Sequence, residues 1–136
     1  MSLPEVLVDT DVLSALMRRN PTVVAKAEAY LAQYSRLSFS LITRYEILRG
    51  LKVKDAKKQV AAFEEFCAKN TILSLTDEVV SQAADIYADL YKRGELIGDA
   101  DILIAATATV NGLGVVTNNE QHFGRITNLH VENWQK

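Results

Sequence analysis

One cysteine, two histidines and two prolines are all that this 136-residue chain holds of those types, and the scarcity closes off several possibilities. Cys67 alone cannot form an internal disulfide. It lies in the apolar-periodic stretch FEEFCAK, where packing is its expected role. A single free thiol fits a cytoplasmic setting. A metal-free nuclease built on a histidine pair would need His122 and His130 in one site. His130 alternates with Leu129 and Val131 and is expected to face out of a strand, while His122 is left as a candidate substrate contact. No Pro-, Gly- or Ser-rich linker and no internal repeat divides the chain, which is read as a single domain over residues 1–136. No apolar run reaches the roughly 18 residues that cross a bilayer. The opening MSLPEVLVD lacks the basic and long apolar regions of a signal peptide. Positive charge is also in short supply, the formal net charge being −2. A nucleic-acid binder acting through its overall field would be basic, so any such binding must be local or assisted by a bound cation.

What the chain does have is a regular alternation of short apolar runs with helical periodicity. Residues 5–8, 37–39, 71–75, 114–117 and 129–132 read as strands. Residues 11–19, 22–34, 41–51, 54–69, 76–93 and 99–111 read as helices. Pro21 marks a first turn, Thr76-Asp77-Glu78 supplies a cap with first-turn acids, and Gly94 ends the long helix. Strands that are apolar on all sides and alternate with helices predict an α/β fold with a parallel sheet covered on both faces. In such sheets functional groups gather at the carboxyl ends of the strands, which is where Asp9 and Asn118 fall.

Acids and amides in four segments could converge there. Asp9 and Asp11 follow the first strand, and a carboxylate directly after a buried strand needs a partner. Glu46 shares a helix stripe with Ile42, Thr43, Arg49 and Gly50, which points inward. Asp99 and Asp101 open a helix that is otherwise almost wholly apolar, and Asn118-Asn119 follow the fourth strand. Each segment also has an ordinary structural explanation. Asp99 can cap a helix, Asp9 and the Asn pair can make turns, and Glu46 can pair with Arg44 or Arg49.

Order and flanking residues decide between these readings. Val8-Asp9-Thr10-Asp11-Val12-Leu13, then Ser40 through Glu46-Ile47-Leu48-Arg49-Gly50, then Asp101-Ile102-Leu103-Ile104-Ala105-Ala106-Thr107-Ala108, then Val115-Val116-Thr117-Asn118-Asn119 with His122-Phe123, run in register along the whole chain. This series resembles the PIN-domain nucleases, and in particular the VapC-type toxins of bacterial toxin–antitoxin pairs. The resemblance implies a three-layer α/β/α sandwich around a short parallel sheet. It maps the family's acids onto Asp9, Glu46 and Asp101, with Asp99 matching an additional acid of many members. Asn119 stands where many members carry a fourth Asp, which leaves one negative charge fewer and makes a second metal ion conditional.

The implied activity is a Mg²⁺- or Mn²⁺-dependent endoribonuclease. Hard ions of this kind prefer oxygen ligands, and Mg²⁺ takes only one or two carboxylates directly. Asp9 and Asp101 are the expected metal ligands. Glu46 and Asp99 are expected to hold waters or orient the nucleophile, and Asn119 to donate to an acid or a water. Thr10 and Thr117 are expected to support the carboxylates from behind. Arg44, Arg49 and Lys52, in the densest basic run, are expected to guide RNA phosphates. The family further implies a VapB-like antitoxin that docks a segment into the nuclease groove, and a homodimer.

Two other readings compete. Asp9-Thr10-Asp11-Val12 also fits the Asp-x-Asp opening of haloacid dehalogenase-like phosphatases, but Leu103 and Ile104 stand where their later motif wants another Asp. A PIN-like module that binds RNA or protein without cutting would not need Asp9, Glu46 and Asp101 together.

Overall fold

A computed structural model describes residues 2–136. Five strands form one parallel sheet: β1 (Val6–Val8), β2 (Ser38–Ser40), β3 (Thr71–Leu73), β4 (Gly114–Val116) and β5 (Val131–Glu132), in the order β3-β2-β1-β4-β5. Seven helices connect them: α1 (Thr10–Met17), α2 (Pro21–Tyr34), α3 (Leu41–Val53), α4 (Lys57–Lys69), α5 (Asp77–Lys92), α6 (Asp99–Val110) and the short α7 (Glu120–Phe123). The α/β architecture expected from the alternation is present. None of the described helices is long and apolar enough to cross a membrane.

The period-two alternation of the strands sorts their side chains onto two faces. Val6, Val8, Phe39 and Val116 enter one core with α1, α2, α3 and α4, whose contributions include Leu13, Val23, Ile47 and Phe63. Leu7 and Val115 enter the other with α5 and α6, through Val79, Ala83, Ile86, Leu90 and Ala105, Ala106 and Ala108 of α6. This gives the three layers. Leu7 is wholly buried between them, so its truncation to alanine should cost about 2–5 kcal/mol. Trp134 packs on Tyr30, with ring centroids 5.7 Å apart, and anchors the C-terminal segment.

Two local features differ from expectation. β2 is not apolar on all sides: Ser38 and Ser40 flank Phe39, and both serines are buried. Ser40 is buried because it caps α3, its Oγ accepting from Thr43 N–H at 3.1 Å. α7 was not foreseen, since four residues carry too little periodicity to announce a helix. At Gly114 an added Cβ would lie 2.9 Å from the carbonyl oxygen of His130, so only glycine lets β4 start this close to the chain entering β5.

The topology creates the site. The chain moves from β1 outward to β2 and β3, then returns to place β4 on the opposite side of β1. The reversal of strand order falls between β1 and β4, and the carboxyl ends of these two strands open a crevice. Asp9 follows β1 there, and Thr117 follows β4.

Candidate active site

Asp9 is the most deeply placed acid, only 5% exposed. Its backbone continues the β1–β4 ladder, with Asp9 N–H donating to Val116 O at 2.9 Å, so its position is set by the sheet. Thr10 N–H donates to Asp9 Oδ1 at 2.8 Å, which also makes Asp9 the N-cap of α1. From across the crevice the Thr117 hydroxyl donates to Asp9 Oδ2 at 2.7 Å. Burial, reinforced by the charge of Asp11, pushes the Asp9 carboxyl up to about 7 against the pull of these two donors.

Asp11 joins the site through the same turn. It accepts from Asn118 N–H at 3.2 Å on Oδ2. Burial raises its carboxyl, while that backbone donor and a hydrogen bond with Asp9 ease it down. The charge of Asp101, from the first turn of α6, raises both Asp9 and Asp11. Three carboxylates thus repel one another at one end of the sheet, which is the electrostatic setting a cation would relieve.

Glu46 enters from α3, its side chain 21% exposed. The Thr10 hydroxyl donates to Glu46 Oε1 at 2.6 Å and lies 3.0 Å from the Thr43 hydroxyl, one turn before Glu46. Thr10 therefore ties Glu46 to the Asp9 turn. Arg49 Nη2 stands 3.8 Å from Glu46 Oε2, and its guanidinium lies over the Tyr45 ring at 5.1 Å. The hydroxyls of Thr10 and Thr117 thus each hydrogen-bond one carboxylate, Glu46 and Asp9 respectively.

On the β4 side, Asn119 N–H donates to Thr117 Oγ1 at 2.9 Å. Asn119 Nδ2 lies 3.4 Å from Asp101 Oδ2 and 2.8 Å from His122 Nδ1, and His122 Nδ1 lies 3.1 Å from the same Asp101 oxygen. Asp101, Asn119 and His122 form a closed triangle.

Several expected residues stand elsewhere. Asp99 is exposed at the first position of α6. Two residues are about 200° apart on a helix, so Asp99 and Asp101 leave it on opposite sides. Arg44 pairs with Glu64, its Nη2 3.1 Å from Oε2 and its Nη1 3.4 Å from Cys67 Sγ, and so braces α3 against α4 rather than facing Glu46. Lys52 is exposed. Asp11 and His122 both belong to the cluster, although the sequence offers Asp11 only as a neighbour of Asp9 and His122 only as a candidate substrate contact. The signal for Asp11 was its place two residues after Asp9. For His122 it was a spacing of three from Asn119, legible only once α7 is known to be helical.

Among the described residues, no group of three or more His, Cys, Asp or Glu side chains is placed to hold a metal ion unaided. The groups that do converge are carboxylates and threonine hydroxyls, with one amide and one imidazole. That chemistry suits a hard ion keeping most of its own waters and taking one or two carboxylates.

A family model described as PIN domain matches residues 6–129. The ribonuclease VapC2 of Haemophilus influenzae is 31% identical over 129 residues, covering 94% of this chain and 96% of that protein. The ribonuclease VapC1 of Methanocaldococcus jannaschii is 30% identical over 132 residues, covering 97% and 88%. The structure of VapBC-1 from nontypeable Haemophilus influenzae superposes with a TM-score of 0.84 at 27% identity, covering 96% of this chain and 98% of that one.

Proposed function

The chain belongs to the PIN-domain family, in its VapC branch, and on that premise we propose that it is a divalent-metal-dependent endoribonuclease, the toxin of a toxin–antitoxin pair. The observation that carries this reading is the position of Asp9. A carboxyl held at the sheet's crevice, pushed up to about 7 by burial and by Asp11, is costly to ionise unless a cation balances it.

Asp9 and Asp101 would hold one Mg²⁺ or Mn²⁺; a second ion is conditional, because Asn119 adds no charge. A bound ion of this kind lowers the pKa of a coordinated water and polarises a phosphate oxygen. Thr117 fixes which way Asp9 turns, and Thr10 does the same for Glu46. Glu46 would accept a proton from, or orient, an attacking water. Arg49 and Lys52 lie within two turns of Glu46 on α3 and supply cations for the RNA backbone. Asp99, outside the cluster, is left without a part in the chemistry.

A cleft of about 420 Å³ runs from Thr10 and Glu46 past Met17, Leu51, Arg18 and Lys54. Its apolar floor and basic rim suit a segment of a VapB-like antitoxin, which would then cover Glu46. Val80, Tyr87 and Tyr91 leave an exposed apolar stripe along α5, which supports a homodimer. A cytoplasmic location completes the reading.

The test is RNA cleavage by the purified protein. Cleavage should require Mg²⁺ or Mn²⁺ and vanish in Asp101→Asn. Expression should arrest growth, and Asp9→Ala should relieve it. Tight RNA binding without metal-dependent cleavage would favour the non-cutting module instead. A trapped aspartyl-phosphate on Asp9 would favour the phosphatase.

A further inference from the structure

We infer that His122 is a positioning residue for Asp101, its Nδ1–H holding Oδ2 and leaving Oδ1 as the oxygen available to a ligand. The inference rests on the nuclease reading only for what the positioning achieves.

The geometry begins with α7. Phe123 is wholly buried and fixes this short helix to the core. His122 and Phe123 both donate their N–H to Asn119 O at 3.2 Å, which brings the His122 ring back over Asn119. The ring is 39% exposed, so the core does not require it. Yet its Nδ1 is aimed at Asp101 Oδ2, 3.1 Å away, and meets the Asn119 amide at 2.8 Å.

A neutral imidazole carries one proton, and the triangle selects its place. If the proton sits on Nε2, a nitrogen lone pair faces a carboxylate oxygen at 3.1 Å with nothing between them. If it sits on Nδ1, that contact becomes a charge-assisted hydrogen bond. Asn119 then meets Nδ1 through its amide oxygen after a half-turn of the amide, which gives up only the donation from Asn119 Nδ2 to Asp101 Oδ2, at 3.4 Å the longest side of the triangle. The second arrangement satisfies both short contacts with one proton. Asp101 has no threonine behind it like those behind Asp9 and Glu46, so His122 fills that place for the third acid.

Long-range ¹H–¹⁵N correlation spectra of the metal-free protein should show the His122 proton on Nδ1. Three variants then separate holding Asp101 from touching substrate, because asparagine places an amide nitrogen near Nδ1 and glutamine places one near Nε2. Mn²⁺ binding without RNA, followed by electron paramagnetic resonance, should weaken about tenfold or more in His122→Ala and His122→Gln, and stay within about threefold of the parent in His122→Asn. RNA cleavage should follow in kcat with KM little changed, and melting temperatures should stay together. A proton on Nε2, parent-like Mn²⁺ binding in His122→Ala, or rescue by glutamine where asparagine fails would each overturn the proposal. A parent protein that neither binds Mn²⁺ nor cuts RNA overturns the nuclease reading itself, whereas loss of the pattern among the variants alone overturns this one.

Discussion

The Thr117 hydroxyl donates to Asp9 Oδ2 at 2.7 Å, joining residues 108 positions apart across the crevice between β1 and β4. The same oxygen of Thr117 accepts from Asn119 N–H, so one hydroxyl links the acid that ends β1 to the loop that begins α7. Thr117→Val keeps the shape and removes the link. A buried carboxylate that loses a donor costs about 1–3 kcal/mol, so urea unfolding at pH 8 should show a loss of that order. Mn²⁺ binding should weaken in parallel. Unchanged stability and unchanged binding would show that Asp9 is held by Thr10 and the sheet alone.

Asp9 also sets a pH dependence. Its folded carboxyl lies at about 7, above the ordinary value of 3.8. Between these values the folded state holds a proton that the unfolded state has released, so stability falls as pH rises through this window. Burial shifts Asp11 in the same direction. In EDTA, the denaturant midpoint should be higher at pH 5 than at pH 8. Asp9→Asn should remove most of the fall, and saturating Mg²⁺ should oppose it by binding the ionised form. An equal fall in Asp9→Asn would place the responsible group elsewhere.

Thr10 connects Glu46 to the rest of the cluster through a 2.6 Å hydrogen bond. Thr10→Val should therefore lower kcat for RNA by about tenfold or more while leaving Mn²⁺ affinity near the parent value. Single-turnover cleavage beside a Mn²⁺ titration measures both. A variant that loses metal affinity as severely as activity would mean that Glu46 binds the ion directly.

The basic residues of α3 should divide by their partners. Arg44 is committed to Glu64, so Arg44→Ala should lower the melting temperature and leave the salt dependence of RNA binding in place. Arg49→Ala with Lys52→Ala should instead weaken RNA binding and flatten the log–log salt slope by about 1–2. A flattened slope in Arg44→Ala would return Arg44 to the substrate path.

Much of the fold was legible because its signals are local. Apolar runs at strand length and apolar stripes at helix spacing survive in one dimension. So the strand ending before Asp9, the α3 stripe through Thr43 and Glu46, and the alanine-rich α6 could all be read directly. β2 was placed one residue early because Ser40, polar yet buried, looks like the end of a strand until its capping role is seen. The family resemblance rested on order and flanks, and those too are properties of the chain as a string.

By itself the sequence determined that Asp9, Glu46 and Asp101 must be considered together, since their flanking motifs follow one another in a fixed order along the chain. Only the tertiary structure decided which neighbours serve them. The reversal of strand order beside β1 brings Thr117 to Asp9, and α7 carries His122 back to Asp101. The half-turn between Asp99 and Asp101 separates two acids that the string places side by side. Arg44 and Glu46 differ by the same two helical positions, and one turns to α4 while the other turns to the site. Side-chain direction depends on helix phase and on what packs opposite, and neither is contained in linear spacing.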